Sequence, residues 1–167
     1  MALRIGLLSD THAFLDPKIK SYFKEVDQIW HAGDIGSIEV LDELKAFKPT
    51  LAVWGNIDNH EIRRETKEFL RFNVEEVEVL MTHIGGRPYK YAQPAFEELK
   101  KNGAPKLFIC GHSHITLVQM DKTFKMLWMN PGACGIKGFH EIRTILRFTI
   151  ELDKIKDLEL IELGKRV

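Results

Sequence analysis

The sequence predicts an α/β fold, on two observations. Apolar runs of strand length recur along the 167 residues, separated in the first half by segments with helix caps and helical apolar spacing. Several of these runs end in a glycine followed by a polar side chain, where parallel strands hand over to loops. Hydrophobic residues at 44% and charged residues at 29% allow a large core and exclude global disorder. With 24 basic and 24 acidic residues, the chain has no bulk attraction for a nucleic-acid polymer or an anionic membrane, and neither is expected as a partner. No apolar run approaches the roughly 20 residues that span a bilayer, and the first residues lack the pattern of a signal peptide. The two cysteines, Cys110 and Cys134, make no disulfide framework, so a reducing, cytoplasmic setting is expected.

Taken in order, Leu3 to Ser9 is a nearly continuous apolar run that delivers Asp10 at its end, as a buried strand would. Asp16-Pro17 reads as a cap with proline at the first helical position, opening a helix to about Lys24. Gln28 to His31 is a second strand closing in Ala32-Gly33-Asp34. Ser37 caps a helix with Ile38, Leu41, Leu44 and Phe47 on one stripe. A third strand, Leu51 to Trp54, ends at Gly55-Asn56. Two adjacent strands follow, Phe69 to Phe72 and Val74 to Met81, the second with Val77, Val79 and Met81 in alternation. It stops at Thr82-His83, and Gly85 to Tyr91 reads as a loop. A helix opening near Pro94 stops at Asn102-Gly103. Lys106 to Cys110 is a further buried strand, ending in Gly111-His112-Ser113-His114. Thr116 to Met120 and Phe124 to Met129 form a hairpin. A glycine-rich loop, Asn130 to Gly138, precedes closing strands from about Ile142 to Leu152 and Leu158 to Leu163. With no repeat or linker, residues 1–167 are expected to form a single domain.

The polar residues at the strand ends form one set: Asp10, His12, Asp34, Asn56, His83, His112 and His114. Two carboxylates, one amide oxygen and four imidazoles suit a transition-metal site. Seven donors exceed what one tetrahedral ion needs, and a shared carboxylate makes two sets of four, so the arithmetic favours a dinuclear centre.

Each motif alone is weak, but their order, each after a strand, is specific. The sequence resembles the calcineurin-like metallophosphoesterases, in particular their small single-domain phosphodiesterase branch. The resemblance rests on Asp10-Thr11-His12, Gly33-Asp34, Gly55-Asn56-Ile57-Asp58, Thr82-His83, Gly111-His112-Ser113-His114 and the loop Asn130-Pro131-Gly132. It implies a four-layer αββα sandwich, two mixed β-sheets flanked by helices. It also implies two divalent transition-metal ions, manganese first, with iron, nickel, zinc and cobalt also admitted by such donors. By position, Asp10, His12 and His114 would hold the first ion, Asn56, His83 and His112 the second, and Asp34 would bridge. Many members carry histidine where this chain has Ile57, a position often assigned to transition-state stabilisation or leaving-group protonation.

The expected activity is therefore a metal-dependent phosphoric ester hydrolysis, with metal-bound hydroxide attacking phosphorus and a small phosphodiester as substrate. Two divalent ions bring about +4, Asp10 and Asp34 about −2, and a hydroxide leaves roughly +1, which attracts phosphate. The chemistry is expected to rest on Asp34, Asn56, Asp58 and His114, with Asp58 as the acceptor that fixes the tautomer of a ligating imidazole. The branch also admits a homodimer. A non-catalytic protein-binding scaffold of the same fold, as in the retromer-subunit branch, is the alternative, and the full donor set argues against it. A single-metal enzyme using only the histidines leaves Asp34 and Asn56 unexplained.

The remaining candidates read more plainly. His31 either supports the site or is a satisfied strand histidine. His60 and His140 read as ordinary polar residues. Arg87, Tyr89 and Lys90 either touch a substrate or belong to a solvated loop. Trp54 and Trp128 read as core, Cys110 as a buried hydrophobe, and Cys134 as a residue of the glycine-rich loop with room for an exposed thiol.

Overall fold

The computed structural model describes residues 1–167. The chain runs β1 (Leu3–Leu8), α1 (Lys18–Tyr22), β2 (Gln28–His31), α2 (Ile38–Phe47), β3 (Thr50–Ala52), α3 (His60–Glu65), β4 (Phe69–Val74) and β5 (Val77–Thr82). It continues through β6 (Gly86–Arg87), β7 (Lys90–Tyr91), α4 (Gln93–Asn102), β8 (Leu107–Ile109), β9 (Thr116–Asp121), β10 (Met126–Pro131), β11 (Ile142–Glu151) and β12 (Lys154–Lys165). One sheet has the order β12-β11-β1-β2-β3 and the other β4-β5-β8-β10-β9, with β6 and β7 forming a separate ribbon. In the first, β1, β2 and β3 pair in parallel while β11 and β12 are antiparallel. In the second, β5, β8 and β10 are parallel between antiparallel edges. Both sheets are therefore mixed, as expected, and no helix is long and apolar enough to cross a membrane.

The period of two in the strands sorts side chains into layers. Ile5, Leu7, Trp30, Leu146 and Phe148 of the first sheet meet Val77, Val79, Met81, Leu107 and Ile109 of the second, forming the central core. The opposite face of the first sheet, with Leu8, Ile29 and Ile145, packs against Ile19, Leu41, Leu44 and Ile62 of α1, α2 and α3. The opposite face of the second, with Leu80, Phe108 and Trp128, packs against Ala95 and Leu99 of α4. The result is the four-layer αββα sandwich, and its central strands read as nearly unbroken apolar runs because both their faces are covered.

Local signals act as the sequence indicates at α2, where Ser37 Oγ accepts from Val40 N at 3.4 Å, and at α4, which stops at Gly103 with φ 87°. Four details differ. The β4–β5 turn falls at Glu75-Glu76, with Glu75 at φ 52° and Val74 paired to Val77; Val74 suits either strand, so composition alone misplaces the break. Helix α3 was not expected, and Asn59 starts it by accepting from Ile62 N at 3.1 Å. The loop expected over Gly85 to Tyr91 contains the β6–β7 ribbon. Cys134 is fully buried in the core beneath the helices, and burial pushes its thiol up in pKa, so the exposed thiol is corrected.

Asp16 does more than begin α1. One carboxylate oxygen accepts from Lys18 N at 2.9 Å, and the other accepts from Arg143 at 2.6 Å in a buried ion pair. Arg143 also donates to the carbonyls of Leu163 and Lys165, so one guanidinium joins β11, the end of β12 and the start of α1. Replacing Arg143 by Met leaves Asp16 buried without its partner and is expected to lower stability by about 3 kcal/mol. Lys45→Ala, which removes an exposed pair with Glu65, is expected to change stability by less than about 0.5 kcal/mol. Urea unfolding of both variants checks the contrast.

Candidate functional site

Because β1, β2 and β3 are parallel, as are β5 and β8, their C-terminal ends gather at one end of the sandwich. The loops leaving them continue the pairing. Asp10 N donates to Gly33 O at 3.0 Å, His12 N to Asp34 O at 3.0 Å and Gly111 N to His83 O at 3.0 Å. Close approach requires glycine at Gly55, where a Cβ would lie 2.1 Å from Asp34 Oδ1.

All seven strand-end residues come together. Asp10 Oδ1 lies 3.1 Å from His114 Nε2 and 3.7 Å from His12 Nε2. Asp34 Oδ2 lies 3.4 Å from His12 Nε2 and 3.2 Å from His83 Nε2. Asn56 Oδ1 is 3.1 Å from His112 Nδ1. Two groups could each hold a metal ion: Asp10, His12 and His114, and Asp34, His83 and His112, with the donor atoms of each group within 4.8 Å of one another. Five of the seven, Asp10, His12, Asp34, His112 and His114, have left-handed backbone conformations, with φ from 46° to 69°. Each costs about 1–2 kcal/mol for a non-glycine residue. Strain on this scale persists only where the surroundings enforce it, and it gathers at functional sites.

Hydrogen bonds set the imidazole tautomers. His83 Nδ1 is 2.7 Å from Ala32 O and must donate to it, which leaves the Nε2 of a neutral ring as a lone pair facing Asp34. His140 Nε2 is 2.8 Å from Gly135 O and donates. Its Nδ1 therefore accepts from His114 Nδ1 at 3.2 Å, turning the His114 Nε2 lone pair toward Asp10. A lone pair aimed at a carboxylate calls for a cation between them. Asp10 Oδ1, His12 Nε2 and His83 Nε2 are buried and have no hydrogen-bond partner, so the donor set fits divalent metal.

The titration behaviour shows the same demand for positive charge. Burial alone would raise the Asp10 carboxyl, but His114, His12, His83 and the Ser9 hydroxyl hold it well below the usual range. Burial opposes protonation of His83, yet Asp34 and Asp10 raise it above the ordinary imidazole value. Burial and the neighbouring His83 lower His112.

The surrounding residues sort differently from the sequence reading. Asp58 was expected to orient an imidazole. Its carboxylate instead accepts the backbone N–H groups of Ile35 at 3.1 Å, Gly36 at 2.8 Å and Gly55 at 2.8 Å, tying the loop after β2 to the loop after β3. Imidazoles are oriented by Ala32 O and by His140, which sequence reasoning passed over because it follows a loop rather than a strand. His31 is fully buried: Gly33 N donates to its Nδ1, and its Nε2 donates to Thr11 Oγ1, which spends its own proton on Ile35 O. His60 is exposed at the start of α3. Trp128 is core, and Trp54 is half-buried, packed against the core beneath the helices with the Arg63 guanidinium 4.0 Å above its ring. Ile57 is 46% exposed, while its N–H donates to Asp34 Oδ1 at 3.2 Å.

An αββα sandwich with this cluster at its strand ends defines the class of metallophosphatase-fold hydrolases. The chain belongs to the calcineurin-like phosphoesterase superfamily, whose domain pattern matches residues 3–153. Membership supports a phosphoesterase and implies divalent metal ions. It is 31% identical to a probable metallophosphoesterase of Methanocaldococcus jannaschii, over 91% of this chain and 78% of the relative. An archaeal phosphodiesterase of known structure superposes with a TM-score of 0.74 at 25% identity, over 96% of this chain and all of that one. The zinc complex of Vps29 from Entamoeba histolytica, at 13% identity and TM-score 0.71 over 96% of this chain and 99% of its own, shares the fold.

Asp58→Asn places an amide NH2 against backbone donors. It is expected to cost about 2 kcal/mol in urea unfolding and to speed amide exchange at Ile35, Gly36 and Gly55.

Proposed function

We propose that the protein is a phosphodiesterase with a dinuclear metal centre. The observation that carries this reading is Asp34 Oδ2, which faces His12 Nε2 at 3.4 Å and His83 Nε2 at 3.2 Å, members of the two different donor groups. Asp10, His12 and His114 would hold one ion. Asn56, His83 and His112 would hold the other, and Asp34 would serve both. When bound, such ions lower the pKa of water and draw charge from phosphoryl oxygens. The chain's own residues do the rest. Ser9 and the His112 N–H fix one oxygen of Asp10 and leave the other for the cluster. Ala32 O and His140 keep His83 and His114 in the tautomers that present Nε2. The Ile57 N–H holds the second oxygen of Asp34, so that Oδ2 alone faces the two groups.

Ile57 also bears on the substrate. A phosphomonoester with a poor leaving group gains from an acid or cation near the departing oxygen, and this side chain supplies neither. A diester carries less negative charge and suits a centre of small positive surplus. The match to an archaeal phosphodiesterase agrees with this preference. The alternative, a non-catalytic scaffold, shares the fold, and fold alone does not separate the two. The strained, fully furnished cluster favours catalysis.

Metal analysis of reconstituted protein is expected to give two ions per chain, and one ion with Asp34 uninvolved would overturn the dinuclear reading. Asp34→Asn and His112→Ala are each expected to cut turnover by at least about a hundredfold at saturating metal, with circular dichroism unchanged. For substrate class, kcat/KM is expected to be higher for an aryl diester than for its matched monoester. Ile57→His is expected to raise the monoester value selectively, and a wild-type preference for the monoester would contradict the assignment.

A further inference from the structure

Two clefts border the cluster. The smaller, about 240 Å³, is lined by Trp54, Asn56, Arg63 and His83 and also by the carboxylate of Glu68. Its volume is below the several hundred Å³ usual for an organic ligand, and Arg63 is occupied in donating to Asp58 O at 2.7 Å. The larger, about 610 Å³, lies between the β6–β7 ribbon and the β9–β10 hairpin.

The larger cleft shares a wall with the cluster. In the turn 112–115, His112 and His114 face the carboxylates, whereas Ser113 and Ile115 line the cleft. That wall is stiff, because the Ser113 hydroxyl accepts from Asn130 Nδ2 at 3.0 Å and from Ile115 N at 3.2 Å. The strand leading to His83 continues through Gly85 into Gly86 and Arg87, which line the opposite side. A phosphate at the cluster would thus have its organic substituent directed between the two loops that carry His83 and His112.

The chemistry of the lining is divided. Leu117 and Tyr91 give an apolar and aromatic surface backed by the buried Trp128 ring, with Ile115, 67% exposed, at the edge. The Tyr91 ring is held edge-on against Phe108 and Phe124, with its hydroxyl donating to Asp121 at 2.5 Å. The indole N–H of Trp128 is buried and has no acceptor. Arg87 and Lys90 are exposed on the ribbon, and no carboxylate lines the cleft. A neutral alkyl group would use the first surface and leave the cations without partners.

We propose that this cleft seats one organic substituent of the phosphodiester, and that the substituent joins an apolar or aromatic body to a further negative charge. The proposal rests on the phosphodiesterase reading, and its test separates the two. Zinc-loaded protein is titrated with methylphosphonate, phenylphosphonate and 4-carboxyphenylphosphonate, following the Trp128 indole N–H by NMR. The phenyl compound is expected to bind about tenfold more tightly than the methyl compound and to shift the Trp128 signal. The carboxylate is expected to add about threefold. Ile115→Asp should erase the phenyl advantage, and Arg87→Ala with Lys90→Ala should erase only the carboxylate increment. An unmoved Trp128 signal, or equal affinities for the three compounds, would overturn the proposal. Turnover of bis(4-nitrophenyl) phosphate by metal-loaded protein is measured in parallel. Its absence beside an intact Trp128 response would sink the phosphodiesterase reading while supporting the cleft as a binding site.

Discussion

The arrangement depends on the burial of Asp10. A carboxylate removed from water at the end of a strand is costly unless charge and hydrogen bonds replace its hydration. The replacements come from every part of the fold: the Ser9 hydroxyl, the His112 N–H from the second sheet, and imidazoles carried by the loops after β1, β5 and β8. The His112 N–H and the imidazoles of His83 and His114 reach Asp10 only when the two sheets are packed face to face. The central apolar layer, far from any chemistry, is therefore what sets the distances at the polar end.

The same demand explains the backbone. The loops after β1, β2 and β8 turn sharply to present their donors, and L residues there enter the left-handed region at Asp10, His12, Asp34, His112 and His114. The loops are bound to one another through their amides and through Asp58. The strain is thus carried by a network rather than by any one loop, as expected where function is retained at a cost in stability.

Much of this was legible in the sequence, for physical reasons. Strands buried on both faces leave unbroken apolar runs, and polar residues that end such runs in a parallel sheet must share an edge. That placed Asp10, Asp34 and Asn56 along one edge, and His83 with the two imidazoles of residues 112–114 along another. What was not legible depends on where loops fold back. Asp58 lies two residues after Asn56, which suggested an imidazole as its partner, but the turn directs its carboxylate at three backbone amides. His140 lies 26 residues beyond His114, and nothing in its neighbours marks it as facing the site. The glycine-rich loop looked exposed because glycine is common at surfaces, yet Gly135 N bonds Asp10 O and the loop is drawn inward, burying Cys134.

The outer strand of the first sheet has a consequence for how copies of the molecule meet. Strand β12 spans 12 residues and leaves one edge unpaired, the geometry on which another chain could lengthen the sheet. Its pairing with β11 shifts register at Arg143/Thr144 and at Arg147/Thr149, which breaks the regular ladder. Lys154, Lys156, Asp157, Glu159 and Glu162 spread both signs of charge along it. An incoming strand would find neither an even spacing of amides nor an uncharged face. At the other margin, β3 is three residues long, too short to template a neighbour. A protein whose central strands are rich in aggregation-prone apolar sequence thus keeps those strands interior and presents poor docking surfaces at the margins of this sheet.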